Sequence, residues 1–440
     1  MGGAAFRQAV AAGHPTLNTP RMTPDEYGRL KETYLAKIRG YFSERDVKVA
    51  VLKEAPEKLS YGDIDLFIGL DKQVDFMHLA NTVGATGLIV HSAGDVQKCT
   101  MGVLTDRTPS QHPTILYQTI DTSMNGSAAH SPTDITPEAY AQIDINVISL
   151  ELVDWHTFYS AYGDLNGLFG HILTHLGFTV TDRGLWLRMK ELDAAKDIER
   201  VNVADHLGKL FLSRDPAQVM SFLGLSVEVW NAGFATLDQL YEWLSACRML
   251  HPVAIKLRRD KAHERKREER RDVYRRFFFD WLPERMPEMS RTSEKDEQRV
   301  QIAQLRQRYL DEALDFFDKR AIYNEVHRVM VSTVDGAIAA NLLRPLITKH
   351  SGAKAKKLAE LVRAFRRFVE FDEDRRPCVA AVAHTDADSQ LHQFLNDEKT
   401  GLANATGADE FVQLRWQTLK ERERQRAKGR LGQGDIEQDE

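Results

Sequence analysis

The sequence is poor in cysteine, and its few cysteines are widely separated. Cys99, Cys247 and Cys378 form no Cys-x-x-Cys pair within the 440 residues. Disulfide-stabilised scaffolds and structural zinc sites both need closely spaced cysteines, so neither class is expected. Unpaired cysteines suit a reducing compartment, which predicts an intracellular protein, either cytoplasmic or nuclear.

Long apolar runs and several common catalytic motifs are also missing. No stretch is long enough to span a membrane or to serve as a signal peptide, so we expect no membrane partner. The sequence contains no Gly-x-Gly-x-x-Gly fingerprint, no zinc-protease histidine spacing and no Gly-x-Ser-x-Gly elbow. Dinucleotide-binding folds, zinc proteases and α/β-hydrolases therefore lack their usual sequence signatures here.

The overall composition excludes few classes of protein. Charged residues make up 28 %, hydrophobic residues 42 %, and the formal net charge is −5. These values are ordinary for a globular protein, and the net charge alone indicates no partner. A chain of 440 residues is long for one core, so two or three domains are expected.

The most informative stretch is acidic and reads Ser60-Tyr61-Gly62-Asp63-Ile64-Asp65-Leu66-Phe67-Ile68. In a β-strand alternate side chains face opposite sides, so the two aspartates share one face and the aliphatic residues share the other. Neighbouring carboxylates repel unless a cation lies between them, and Mg²⁺ prefers such oxygen ligands. The pattern predicts a metal site, with a solvated turn entering a strand as the alternative.

A second acidic strand is predicted at Gln142-Ile143-Asp144-Ile145-Asn146-Val147-Ile148. Its polar and apolar residues alternate, so Asp144 faces away from the apolar side. Aspartate is depleted in strands and needs a reason to be there. One explanation is an edge strand with a solvated face. The other is a third carboxylate that faces Asp63 and Asp65 from a neighbouring strand.

Together these residues resemble the nucleotidyltransferase superfamily, the DNA polymerase β-like fold, including uncharacterised fungal proteins with the same acidic core. In that family Gly-Asp-x-Asp opens one strand and a later Asp lies on another; the resemblance covers residues 23–150. It implies that Asp63, Asp65 and Asp144 are catalytic residues that bind Mg²⁺ or Mn²⁺. It also implies transfer of a nucleoside monophosphate from a nucleoside triphosphate such as ATP to a hydroxyl acceptor, with RNA among the candidate acceptors.

The segment before the acidic pair departs from the family. Members usually carry a Gly-Ser or Gly-Gly pair that opens a helix around the triphosphate, but residues 52–61 contain no glycine. Lys53, Lys58, Ser60 and Gly62 are the candidate nucleotide contacts, since ammonium and hydroxyl groups bind phosphate. The alternative function is a non-catalytic nucleotidyltransferase-like scaffold or binding module.

Residues 256–276 are strongly basic, with eleven Lys/Arg against five Asp/Glu, a net charge of +6 by subtraction. The pattern predicts a helix ending in aromatic residues, which could follow a phosphate backbone and stack bases. The candidate nucleic-acid contacts are Arg265, Lys266, Arg270 and Arg271. A simpler interpretation is a solvated helix with i,i+4 ion pairs, whose aromatic end packs into a core.

The predicted fold class is α+β, with an N-terminal mixed sheet and helices followed by a mainly helical region. Thr23, Pro24 and Glu26 predict a capped helix start. Apolar runs at 88–90, 101–105 and 114–120 predict further strands, and the polar stretch 121–137 predicts a loop. The predicted divisions are a mobile N-terminus (1–22), a nucleotidyltransferase-like domain (23–190), a helical extension (191–283), a C-terminal helical region (284–430) and a disordered tail (431–440).

Overall fold

Two hydrophobic cores organise the chain, one built mainly by strands and the other mainly by helices. This mixture confirms the predicted α+β class. The computed structural model describes residues 5–8, 16–43, 46–93, 96–104, 116–121, 135–163, 165–189, 208–259, 271–287, 295–373, 376–385, 389–395 and 405–434.

The N-terminal unit is a sheet with helices on both of its faces. Its elements are α1 (Ala5–Gln8), β1 (Thr16–Asn18), α2 (Pro24–Tyr41), β2 (Lys48–Val51), β3 (Ile64–Gly69), α3 (Phe76–Val83), β4 (Gly87–Ala93), β5 (Val96–Leu104), β6 (Leu116–Asp121) and β7 (Ile135–Ile148).

Six of these strands lie side by side in the order β2-β3-β7-β5-β4-β6. β3 and β7 are parallel, whereas β2 and β5 are antiparallel to them. β4 is antiparallel to β5 and parallel to β6. The seventh strand, β1, pairs in parallel with the first part of β7, and β3 pairs with the last part. Because β7 begins at Ile135, the predicted loop over 121–137 is wrong at its C-terminal end.

The apolar face of this sheet carries the aliphatic residues that the alternating pattern predicted. Ile64 and Leu66 of β3 and Ile143 and Ile145 of β7 are at most 1 % exposed. They pack with buried residues of α2 and α3 in one core. The predicted capping box at the start of α2 is confirmed, since the side chains of Thr23 and Glu26 each accept a hydrogen bond from the other's backbone N–H. Asp65 and Asp144 belong to the opposite face.

The N-terminal segment packs on that opposite face, so the prediction of a mobile region over 1–22 is wrong for its described part. Phe6 and Leu17 are buried and form a small cluster with residues of β4 and β7. Gly87 and Gly102, which are register partners, provide the space for them. A Cβ atom on Gly102 would lie 2.4 Å from the Leu17 side chain. The absence of side chains at the two glycines therefore lets this segment pack closely against the sheet.

The second unit is mainly helical. Its elements are α4 (Val153–Tyr159), α5 (Leu165–Leu173), β8 (Phe178–Thr181), β9 (Gly184–Arg188), β10 (Lys209–Ser213), α6 (Pro216–Leu223), α7 (Val227–Ala232), α8 (Leu237–Ser245), α9 (Pro252–Arg259), α10 (Asp272–Arg275), α11 (Leu282–Arg285), α12 (Lys295–Phe316), α13 (Arg320–Ile338), α14 (Arg344–Ser351), α15 (Ala355–Phe368), β11 (Val369–Phe371), β12 (Pro377–Val379) and α16 (Ala405–Gly434).

The predicted division of this unit does not follow its core. Buried side chains from Trp155 to Leu419 form one cluster, so the boundaries at 190 and 283 separate residues that pack together. The reason is that β8, β9 and β10 form their own small sheet, which belongs to the helical core and not to the first sheet. The predicted disordered tail also begins too early, because α16 continues to Gly434. Across the described ranges, no helix combines the length and apolarity needed to cross a bilayer.

The basic stretch 256–276 is not the single helix that its spacing predicts. α9 ends at Arg259, and Arg271 has an extended backbone (φ −126°, ψ 92°) before α10 begins. Residues 260–270 lie outside the described residues. A π-helical segment over Arg276–Trp281 then joins α10 to α11.

Candidate functional site

The register of the sheet brings the predicted aspartates together. Asp65 of β3 and Asp144 of β7 are direct partners on adjacent parallel strands. Asp63 immediately precedes β3, two residues before Asp65, so both carboxylates belong to the same face of the strand. Adjacent strands are about 4.8 Å apart, which places the carboxylates of Asp65 and Asp144 close together.

Electrostatics confirm the proximity of these groups. Burial, followed by the negative charges of Asp63, Asp144 and Glu54 in that order, raises the pKa of Asp65 from its ordinary value to about 7. Lys98 acts in the opposite direction. Within the described parts of the chain, the Asp65 carboxylate has neither a hydrogen bond nor an ion pair. The negative charge of Asp65 is thus not compensated by an ion pair among the described residues.

Asp144 is held differently from Asp65. Its Oδ1 accepts hydrogen bonds from Thr100 Oγ1 at 2.8 Å and from Gln142 Nε2 at 3.0 Å. Thr100 is directly opposite Asp144 on β5, and Gln142 precedes it by two residues on β7. Gln142 in turn accepts a hydrogen bond on Oε1 from the backbone N–H of Ala5 at 3.1 Å. The N-terminal segment is therefore linked to the site through Gln142.

Apolar contacts limit the acidic surface at both ends. At the C-terminal ends of β3 and β7, His156 of α4 lies against Phe67, with ring centroids 5.3 Å apart. A Cβ atom on Gly69 would lie 2.3 Å from the side chain of Val153, so α4 packs directly on this strand. Phe6 and Leu17 cover the other end. The carboxylates lie between these two contacts.

The segment before β3 uses its predicted phosphate ligands for other contacts. Lys58 forms an ion pair with Glu54 at 2.6 Å. Ser60 accepts hydrogen bonds from Arg21 on both its side chain and its carbonyl, at 2.8 and 2.7 Å. Tyr61 stacks on Tyr27 with ring centroids 3.9 Å apart. Lys58 and Ser60 are thus near the acidic residues but already bound to protein groups.

Lys53 lies at the contact between the two units. Its Nζ donates a hydrogen bond to the carbonyl of Trp230 at 2.5 Å and lies 4.7 Å from the centre of that indole ring. Its own carbonyl accepts a hydrogen bond from the backbone N–H of Tyr162. Burial lowers the pKa of Lys53. These contacts give Lys53 a structural role in joining the sheet to the helical unit.

Sequence reasoning missed four polar residues of this site, namely Glu54, Lys98, Thr100 and Gln142. A signal for three of them exists, because Gln142 shares the polar face of its strand with Asp144, and Lys98-Cys99-Thr100-Met101 also alternates polar and apolar residues. Cys99 and Met101 are fully buried, which places Lys98 and Thr100 on the acidic face. Glu54 gives no comparable signal, since its position depends on the path of an irregular segment.

The acidic site offers the type of ligand atom that a hard divalent cation prefers. Its ligands would be carboxylate oxygens, and a bound cation would offset both the burial of Asp65 and the nearby negative charges, which together raise its pKa. As the side chains stand, no three His, Cys, Asp or Glu residues in the described ranges are arranged to hold a metal ion. The charge and the donor type therefore suit Mg²⁺ or Mn²⁺, while a closed set of ligands is not preformed.

Of the four candidate nucleic-acid contacts, one belongs to the described residues. Arg265, Lys266 and Arg270 lie outside the described residues, and Arg271 is the partly exposed residue before α10. The aromatic residues that follow cannot stack on bases, because they are buried in the helical core. These residues are Tyr274, Phe277, Phe278 and Trp281.

Comparisons with other proteins leave the family open. A scan against protein-family models finds no matching family, and a search of curated proteins finds no significant match.

Proposed function

We propose that this protein is a metal-dependent nucleotidyltransferase, which moves a nucleoside monophosphate from a nucleoside triphosphate to a hydroxyl acceptor. One observation supports this function above the others. Asp65 and Asp144 are register partners on adjacent parallel strands, with Asp63 two residues before Asp65. Half-buried carboxylates that lie side by side are costly for folding, so they favour a functional explanation.

Asp63, Asp65 and Asp144 would hold the cation. When bound, Mg²⁺ or Mn²⁺ would stabilise negative charge on the attacking and leaving oxygens. The bound cation would also offset the repulsion between Asp65 and its two acidic neighbours, Asp63 and Asp144. Asp144 would orient the acceptor hydroxyl beside the cluster.

In the proposed reaction the acceptor oxygen forms a bond to the α-phosphorus of the triphosphate. The bond from that phosphorus to the oxygen shared with the β-phosphate breaks, and pyrophosphate leaves with the bonding electron pair. The hydroxyl proton passes to water. The role of the protein is to position the two reactants and to stabilise the charge that develops.

Lys98 is the candidate phosphate contact that the structure favours over Lys53. Its charge acts on Asp65, which places it on the acidic face of the sheet. Lys53 is instead bound to Trp230. Arg21 and Ser60 form a second polar group beside the acidic strand. An ammonium and a guanidinium in these positions would bind phosphate oxygens through charge-assisted hydrogen bonds.

Transfer assays test the proposal directly. The protein is incubated with Mg²⁺ or Mn²⁺, labelled nucleoside triphosphates and a panel of RNA, protein and small-molecule acceptors. We expect transfer by the wild type and background signal from the double variant Asp63→Ala, Asp65→Ala. Asp154→Ala is a matched control, since this exposed aspartate pairs with Lys48 outside the site. Transfer that survives the double substitution would contradict the assignment.

Calorimetry separates catalysis from a scaffold function that retains the fold. Titration with Mg²⁺-ATP and the other nucleoside triphosphates should give a saturable signal for an intact catalytic pocket. Asp63→Ala should abolish that signal, because the cation that accompanies the triphosphate would lose a protein ligand. Wild-type protein that gives no saturable signal with any of these nucleotides would favour the non-catalytic scaffold.

A further inference from the structure

We infer that Thr100 and Gln142 are positioning residues, which fix Asp144 so that one carboxylate oxygen remains for the cation or acceptor. This inference rests on the proposed function. Neither residue is expected to touch the nucleotide or the acceptor itself.

The two donors converge on the same atom. Thr100 Oγ1 and Gln142 Nε2 both donate to Asp144 Oδ1, at 2.8 and 3.0 Å. Thr100 is 1 % exposed and Gln142 is 3 % exposed. Buried donors of this kind cannot exchange their acceptor for bulk water, so each contact is costly to break. Among the described residues, no hydrogen bond reaches Asp144 Oδ2.

The orientation of the Gln142 amide is determined by its second contact. Its Oε1 accepts from the backbone N–H of Ala5, a group that can only donate. Turning the amide over would place its NH₂ group against that N–H and its oxygen against Asp144 Oδ1. Both contacts would then be repulsive. The packed N-terminal segment therefore keeps the amide hydrogens directed at Asp144.

Neutral donors suit this position better than a cation would. An arginine or lysine bonded to Asp144 would orient the carboxylate but also neutralise it, which would weaken its attraction for a metal ion. A hydroxyl and an amide orient the same group and leave its negative charge in place. Hydrogen-bond partners of metal ligands commonly contribute 10–100-fold to metal affinity.

Manganese binding, measured by electron paramagnetic resonance of free Mn²⁺, tests this role without requiring turnover. Thr100→Val removes the hydroxyl at nearly constant shape, and Gln142→Leu removes the amide. We expect each to weaken Mn²⁺ affinity about tenfold. Thr100→Ser keeps the donor and should bind close to wild type. Thr86→Val, at another buried threonine of this unit, is the matched control and should leave affinity unchanged.

Melting temperatures of all variants distinguish positioning from a purely structural role. A structural role predicts loss of stability without a selective loss of Mn²⁺ affinity, and it predicts no rescue by Thr100→Ser. If Thr100→Val does not fold, Gln142→Leu decides the question. Folded Gln142→Leu protein that binds Mn²⁺ as tightly as wild type would overturn the inference.

The same titration separates this inference from the proposed function. Wild-type binding that is lost in the Asp63→Ala, Asp65→Ala variant, but unchanged in both positioning variants, overturns only the positioning role. Wild-type protein that binds no Mn²⁺, or binds it independently of the two aspartates, overturns the metal site and the positioning role together.

Discussion

Asp65 in the sheet and Glu423 in the helical unit are both acidic and largely buried, yet their surroundings are opposite. Glu423 is 5 % exposed and accepts from Arg367 at 2.6 Å and from Arg426 at 3.0 and 3.1 Å. Asp65 instead lies beside Asp63 and Asp144. The charge of Glu423 is neutralised by two arginines, whereas the charges nearest to Asp65 are mostly negative.

Two further sites of the helical unit follow the pattern of Glu423. Asp409 bonds to His350 and Lys349, and these hydrogen bonds lower its pKa. Arg320 pairs with both Asp311 and Asp315. The pKa of an aspartate is therefore shifted in opposite directions in the two units: it is lowered at Asp409 and raised at Asp65. Paired charges connect the helices at these positions, whereas the carboxylates of the candidate site lie beside one another.

The largest effect on stability is expected at Glu423. Glu423→Ala leaves two arginines without their shared carboxylate, and removing one partner of a buried ion pair costs about 3–4 kcal/mol. Chemical denaturation should show this loss in the free energy of unfolding. Glu421→Ala, an exposed position of the same helix, should change it by less than about 0.5 kcal/mol. Equal effects at the two positions would show that the arginine contacts do not stabilise the fold.

The second prediction concerns pH and Asp65. Its pKa is about 7 in the folded protein, above the ordinary value of 3.8. The folded protein therefore binds a proton that the unfolded chain releases between these values, so stability increases as the pH falls. Between pH 8 and pH 5 this group should contribute on the order of 3 kcal/mol in metal-free buffer.

Urea unfolding of wild type and Asp65→Asn at the two pH values measures this contribution. The variant lacks the titrating group, so its stability should change less between pH 8 and pH 5, by about the same 3 kcal/mol. Mg²⁺ should stabilise the wild type at pH 8 and have little effect on the variant. Parallel pH dependence of the two proteins would contradict the raised pKa of Asp65.

The smallest effect is expected at Lys53, where the two units meet. Lys53→Met removes a hydrogen bond to Trp230 and a contact with its ring, at a cost of about 1–2 kcal/mol. Affinity for Mg²⁺-ATP should remain that of wild type. Lys72→Met, at an exposed lysine, is the control for loss of charge. A selective loss of nucleotide affinity with unchanged stability would restore Lys53 as a phosphate contact.

Local patterns predicted the elements of the site well. The alternation around Asp63 and Asp144 predicted both strands and their buried faces, because side-chain direction in a strand depends on residue parity alone. The capping box of α2 was equally local. Lys58 and Ser60 show the limit of such reasoning. Their contacts with Glu54 and Arg21 depend on how an irregular segment folds back, which no periodic pattern records.

Unit boundaries were also beyond the reach of local patterns. The sequence shows no break in composition between Val147 and Trp155, where one core ends and the other begins. Phe6 and Leu17 lie in a segment rich in small residues, which predicts mobility when read alone. Their burial depends on the space above Gly87 and Gly102, far along the chain.

The sequence by itself determined which residues carry the acidic chemistry and which face of each strand they occupy. Only the tertiary structure decided that β3 and β7 are neighbours, that Asp65 is the register partner of Asp144, and that Thr100 holds the latter. The physical reason is range. Strand alternation and helix caps follow from backbone geometry over a few residues, whereas pairing depends on the total burial gained by one arrangement of strands over all others.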